Sequence, residues 1–204
     1  GRRRVGISLS DRNRSDEPMV QLLGELLEYV LAIDALTATL VIDLRHPVLT
    51  NLMTSVTGLG SVAAGLVFVG LFYLAEWRKE FLVTLIALSI TGVVVAVLMT
   101  AVQRPFPTQP VCLTDGAGTP TTSFPSGHAA AVTAYAMVAR NSDALPFRSV
   151  AVLAAVVAVS RIYLGTHYLS DTVAGIAIGI ASVLLAERVL ARTDLDAVFR
   201  KLSR

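Results

Sequence analysis

FLVTLIALSITGVVVAVLMTA, residues 81–101, decides the fold. The run contains no Asp, Glu, Lys, Arg or His. A helix needs roughly 20 consecutive apolar residues to cross the hydrocarbon core of a bilayer, and this run has that length. Upstream, residues 49–75 form a second uncharged span, closed by Tyr73 and Trp77 where aromatic side chains favour the membrane interface. Downstream, a Pro-, Thr- and Gly-rich loop over 102–125 leads to three shorter apolar runs at 128–139, 149–160 and 172–186. Nothing in the pattern alternates with the period of a strand.

The composition agrees. Apolar residues make up 54% of the 204 and charged residues only 16%, against roughly a quarter charged in soluble domains. The formal charge of +2 is too small to suggest a nucleic-acid binder, and no basic stripe with interleaved aromatics is present. Cys112, the single cysteine, has no intrachain partner and reads as an inert loop thiol. The Arg2-Arg3-Arg4 start lacks the apolar core and cleavage site of a secretory signal peptide. The expected organisation is a basic, disordered segment over 1–18, a membrane domain over 19–192 and a cytoplasmic tail over 193–204.

Residues 20–44 are apolar but carry Glu25, Glu28 and Asp34. A carboxylate at mid-bilayer costs about 2.5–3.5 kcal/mol. The segment is therefore either a poor first span or an amphipathic helix on the membrane surface, and the fold class is an all-α integral membrane bundle of six spans, or five plus one interfacial helix. With six, 14 of the 17 Lys and Arg fall on one side, which marks it as cytoplasmic, and Arg45, Arg104 and Arg161 fall on the other. With five the split becomes 9 against 8 and orientation is lost.

The extracytoplasmic face gathers the ionisable residues of three segments. Arg104-Pro105 opens the first. Pro125-Ser126-Gly127-His128 begins the fourth span. Ser160-Arg161 is followed after five residues by His167 and after three more by Asp171. Proline suits an early helical position, serine caps well, and glycine permits close backbone approach. Together they build a helix N-terminus, which is a ready anion site, with His128 in its first turn. Arg104 and Arg161 offer planar forks that match phosphate oxygens. His167 and Asp171, four apart, share a face on a helix or helix start. A carboxylate accepting one ring N–H leaves the other nitrogen as a nucleophile. From Arg148 to Arg161 is only about 20 Å of helix, against a core about 30 Å thick, so Arg161 is recessed. Recessed ionisable residues in a membrane protein are functional candidates, and a site at that depth suits a lipid substrate.

These segments resemble the signatures of the type 2 phosphatidic acid phosphatase superfamily, which includes bacterial polyprenyl diphosphatases, glucose-6-phosphatase and vanadium haloperoxidases. PSGH at 125–128 and SR-x5-H-x3-D at 160–171 match completely, and the likeness of spans, loops and motif order covers residues 49–190. A weaker likeness runs from Asp34 to Gly60, through His46-Pro47 and Thr57-Gly58-Leu59-Gly60. The resemblance implies a phosphatase acting on a lipid phosphate monoester or diphosphate, such as a polyprenyl diphosphate or phosphatidic acid. In it His167 attacks phosphorus, Asp171 orients His167, His128 protonates the leaving oxygen, and Arg104, Arg161, Ser126 and the Gly127 N–H hold the phosphate. It implies no metal and no other cofactor. The family's first motif is Lys, six residues, then Arg-Pro; here Val97 stands in the lysine position. His46 or Arg45 on the same face is a conceivable substitute, although both also read as ordinary loop residues. Transfer of the phosphoryl group to a lipid or sugar, and a non-catalytic relative of the fold, are the alternatives; Val97 alone supports the last.

Overall fold

The computed structural model describes residues 9–111 and 122–192, with side chains described from residue 19. The tail over 193–204, the loop residues around Cys112 and the first eight residues lie outside the described residues. Among the described residues there are seven α-helices, one 3-10 turn and no strand. They are α1 (Leu9–Asp43), α2 (Pro47–Thr57), the turn Gly58–Gly60, α3 (Val62–Leu74), α4 (Arg78–Val102), α5 (Gly127–Arg140), α6 (Phe147–Tyr163) and α7 (Leu169–Leu190).

Helix α5 is the hub and packs on α4, α6 and α7. Its crossing with α7 is set by two glycines. A Cβ at Gly175 would strike the Ser126 carbonyl oxygen, and one at Gly179 would strike that of Ala130. Small residues four apart let two backbones approach closely where lipid provides no hydrophobic drive. The same contact brings the first turn of α5 against the first turn of α7, the two places where the chemistry-bearing motifs sit. Below it, Val83, Ala87, Ala134, Val138, Val183 and Ala186 form the buried core. The outer surface is apolar instead: Leu66, Leu74, Val93, Val152 and Val173 are all exposed, as expected of side chains that face lipid.

The described helices depart from the sequence expectation in four ways. First, helix extends back to Leu9, into the stretch read as disordered; once a long helix is nucleated, each added residue gains a hydrogen bond. Second, the 49–75 span is broken: α2 and α3 meet at 54°. The 3-10 turn Gly58–Gly60 ends one helix, and Ser61 caps the next by accepting from the Ala64 N–H. Third, α7 is a full 22 residues rather than a short run over 172–186, because its polar ends, Asp171 and Glu187-Arg188, continue the helix beyond its apolar middle. Helices α5 and α6 are short, at 14 and 17 residues. Fourth, α1 is one continuous helix of 35 residues packed on α6 and α7. Asp34 is the only buried side chain described in it, so the acid that argued against a span lies inside the protein rather than in lipid. By length and composition α4 and α7 can each cross a membrane, and the bent α2–α3 pair counts as a third.

Candidate active site

The site forms where the first turns of α5 and α7 meet the last turn of α6. Ser126 caps α5: its Oγ accepts from the Ala129 N–H at 3.3 Å, and its own N–H donates to the Asp171 carbonyl at 3.0 Å. Gly127 follows at N1, where backbone N–H groups have no intrahelical acceptor. His128 is half-buried, and Gly60 presses on it so tightly that an added Cβ would lie 2.9 Å from its Cβ. The 54° break in α2–α3 is therefore what brings a backbone without a side chain against the histidine.

Arg161 ends α6. Its Nη1 donates to Thr57 Oγ1 at 2.7 Å, and its carbonyl gathers the following loop. The N–H groups of Thr166 and His167 both donate to it at 3.2 Å, and Thr166 Oγ1 donates at 3.1 Å. Gly165 makes that loop possible, with φ +65° in the left-handed region. His167 is thus held from its own backbone and lies 7% exposed. Its Nδ1 bonds the Ser123 carbonyl oxygen. A carbonyl only accepts, so Nδ1 carries the proton and Nε2 keeps the lone pair. Burial, aided by the Arg161 charge, pushes the His167 pKa down to about 3, so the ring is neutral at neutral pH. Arg161 acts electrostatically on both imidazoles, and His128 acts on His167. These three side chains converge.

Arg104 and Asp171 converge as well, but on each other. The Asp171 side chain, fully buried, accepts from Arg104 Nη1 at 2.6 Å and from the Tyr168 N–H at 2.9 Å. Both carboxylate oxygens are thereby engaged, and the expected Asp171–His167 hydrogen bond is not among them. The reason is local: α7 starts at Leu169, so His167 precedes the helix and the shared-face rule for residues four apart does not reach it. Ser123 takes over the tautomer-fixing contact. Arg104 also pairs with Asp34 at 2.7 Å, donates to Ser170 Oγ at 2.7 Å and lies over the Tyr168 ring at 3.9 Å. Asp34 accepts from the Ser170 N–H at 2.9 Å and from Ser170 Oγ at 2.5 Å. The guanidinium expected to grip phosphate is held between two carboxylates.

Asp34, Thr57, Ser123, Tyr168 and Ser170 were not among the site residues expected from the sequence, although Asp34 and Thr57 lie in the weaker stretch of likeness. A carbonyl and two hydroxyls give no signal in a single sequence. Asp34 gave one: a carboxylate within an apolar run is costly unless paired. Val97 is 58% exposed on α4. Arg45 donates to the carbonyls of Gln109 at 2.7 Å and Tyr163 at 3.3 Å, and the His46 N–H donates to the Tyr163 hydroxyl at 3.0 Å. Both therefore brace the loops around the site. No group of three or more His, Cys, Asp or Glu among the described residues could hold a metal ion.

The family model described as the PAP2 superfamily matches residues 80–193, more than half of the chain. Decaprenylphosphoryl-5-phosphoribose phosphatase of Mycobacterium tuberculosis, in two strains, is 32% identical over 114 residues. That match covers 56% of this chain and 63% of the relative, so the chain spans less than two thirds of the relative's length. A transmembrane PAP2 type phosphatidylglycerolphosphate phosphatase from Bacillus subtilis shares the fold at 22% identity, with a TM-score of 0.66 over 88% of this chain and 98% of that one. Aquifex aeolicus LpxE aligns at 25% identity, with a TM-score of 0.63 over 74% of this chain and 92% of its own. The protein is an all-α integral membrane protein, and with its own motifs inside the matched region the chain belongs to the PAP2 superfamily.

Proposed function

We propose that the protein is a metal-independent lipid phosphatase, working through a phosphohistidine on His167. The observation that carries this reading is the buried, neutral His167 with Nδ1 bonded to a carbonyl and Nε2 left to attack, under the charge of Arg161. Nε2 attacks phosphorus in line, and the phosphorus–oxygen bond to the lipid breaks. His128 gives its proton to the leaving oxygen. Water then attacks the phosphohistidine, His128 takes a proton from it, and the phosphorus–nitrogen bond breaks to release phosphate and restore His167. Arg161 and Arg104 flank the phosphate, and Ser126 and the Gly127 N–H at the α5 N-terminus meet its oxygens. Asp171 holds Arg104 and, through its carbonyl, the cap of α5.

The six helical rods, counting the bent α2–α3 pair as one, are read as six spans, with the site on the extracytoplasmic side where only Arg45, Arg104 and Arg161 lie. Similarity to a decaprenylphosphoryl-5-phosphoribose phosphatase and a phosphatidylglycerolphosphate phosphatase favours a lipid whose phosphate is exposed in the headgroup. The test is phosphate release by the purified protein over a panel of phosphatidic acid, phosphatidylglycerol phosphate and polyprenyl phosphates, run beside His167→Ala and with a chelator. The wild type releases phosphate with or without chelator, and His167→Ala releases none while still binding lipid. Full activity in His167→Ala, or loss of wild-type activity to the chelator, overturns the reading.

A further inference from the structure

We infer that Asp34 on α1 is a specificity-determining residue: by cancelling the charge of Arg104 it makes the site select a phosphomonoester over a diphosphate. The inference rests on the phosphatase reading above and narrows its substrate. Two carboxylates, Asp34 and Asp171, occupy the fork of Arg104 at 2.7 and 2.6 Å and lie 2% and 0% exposed. Both acids are buried while Arg104 keeps 17% exposure, so each opposes the guanidinium charge more strongly than a surface carboxylate would. Among the described side chains that gather here, Arg104 and Arg161 are thus matched by two acids, with His167 neutral. No lysine or arginine lies on α4 between Lys79 and its end at Val102, and Val97 faces outward. Arg45 is committed to the carbonyls of Gln109 and Tyr163.

A phosphomonoester carries about −1.5 to −2 charge at neutral pH. A diphosphate adds a further anionic phosphoryl group, which must be accommodated beside an arginine whose charge is already taken. Asp34 is also more than a counter-ion. It binds both the N–H and the hydroxyl of Ser170, the residue beside Asp171, and so fixes Arg104 relative to the start of α7.

The test compares farnesyl phosphate with farnesyl diphosphate, on the full chain in detergent, for wild type and Asp34→Asn. The amide keeps an acceptor for Ser170 and removes the charge. In the wild type the KM for the diphosphate should exceed that for the monophosphate at least about tenfold. In Asp34→Asn the ratio of kcat/KM for diphosphate over monophosphate should rise about tenfold. Comparing both substrates within each protein cancels their different leaving groups and any common loss of folded enzyme. Equal KM values in the wild type, or an unchanged ratio in Asp34→Asn, overturns the inference. If the variant does not fold, competition in the wild type decides: inorganic phosphate should inhibit at least about tenfold more tightly than pyrophosphate, and the reverse order refutes the idea. Failure of the wild type to release phosphate from any lipid phosphate refutes the phosphatase reading itself, and this inference with it.

Discussion

The two arginines of the site are held in opposite ways. Arg104 is clasped by Asp34 and Asp171, stacked on Tyr168, and ties α1 to the start of α7. Arg161 rests on the hydroxyl of Thr57 and directs its field at His128 and His167. The same type of side chain thus ties helices together in one place and acts through its charge in the other. A buried ion pair costs several kcal/mol to desolvate and fixes geometry more than it adds stability. A cation next to two imidazoles acts instead on charge that develops during reaction.

The contrast makes the Arg161 side steep for chemistry. Arg161→Ala should lower kcat about 10³-fold with little change in thermal stability. A kcat within threefold of wild type would erase the distinction. On the other side, Arg104→Ala should lower activity less, about 10–100-fold, and should destabilise the protein by about 3–5 kcal/mol, because Asp34 and Asp171 are left buried without their partner. Thermal denaturation in detergent reads this; an unshifted midpoint would mean that the tie is not structural. Gly60→Ala sharpens the geometric part. Its methyl would meet His128, and displacement of the ring should cost up to about 100-fold in kcat, with KM little changed. Wild-type turnover in that variant would show that His128 has room to move.

The smallest effect is one of pH. His167 has its pKa lowered from 6.5 to about 3 by burial first and by Arg161 second. The unfolded chain then binds a proton that the folded one refuses between those values, so stability rises with pH across that window and is lost as pH falls below about 6.5. His167→Gln should flatten part of the fall in thermal midpoint between neutral pH and pH 4. An identical pH profile in that variant would remove His167 from the account of acid sensitivity.

Much of this was legible in the sequence, for reasons that differ by element. Uncharged length revealed α4, and the Pro-Ser-Gly-His order revealed the capped start of α5, because both depend on neighbours along the chain. The break at Gly60 was hidden inside an unbroken apolar run, since hydropathy is blind to direction. The partner of Asp171 was misread because spacing implies a shared face only within a helix, and His167 lies just before α7. Asp34 was seen but counted against its helix; its partner, Arg104, lies 70 residues away, and no local pattern can announce so distant a pairing.

The most direct measurement is to quench turnover in alkali and map phosphorylated residues by mass spectrometry. An acid-labile, alkali-stable phosphoramidate is expected on His167 in the wild type and none in His167→Ala. Turnover with no phosphoenzyme, or with the phosphoryl group on any other residue, would contradict it.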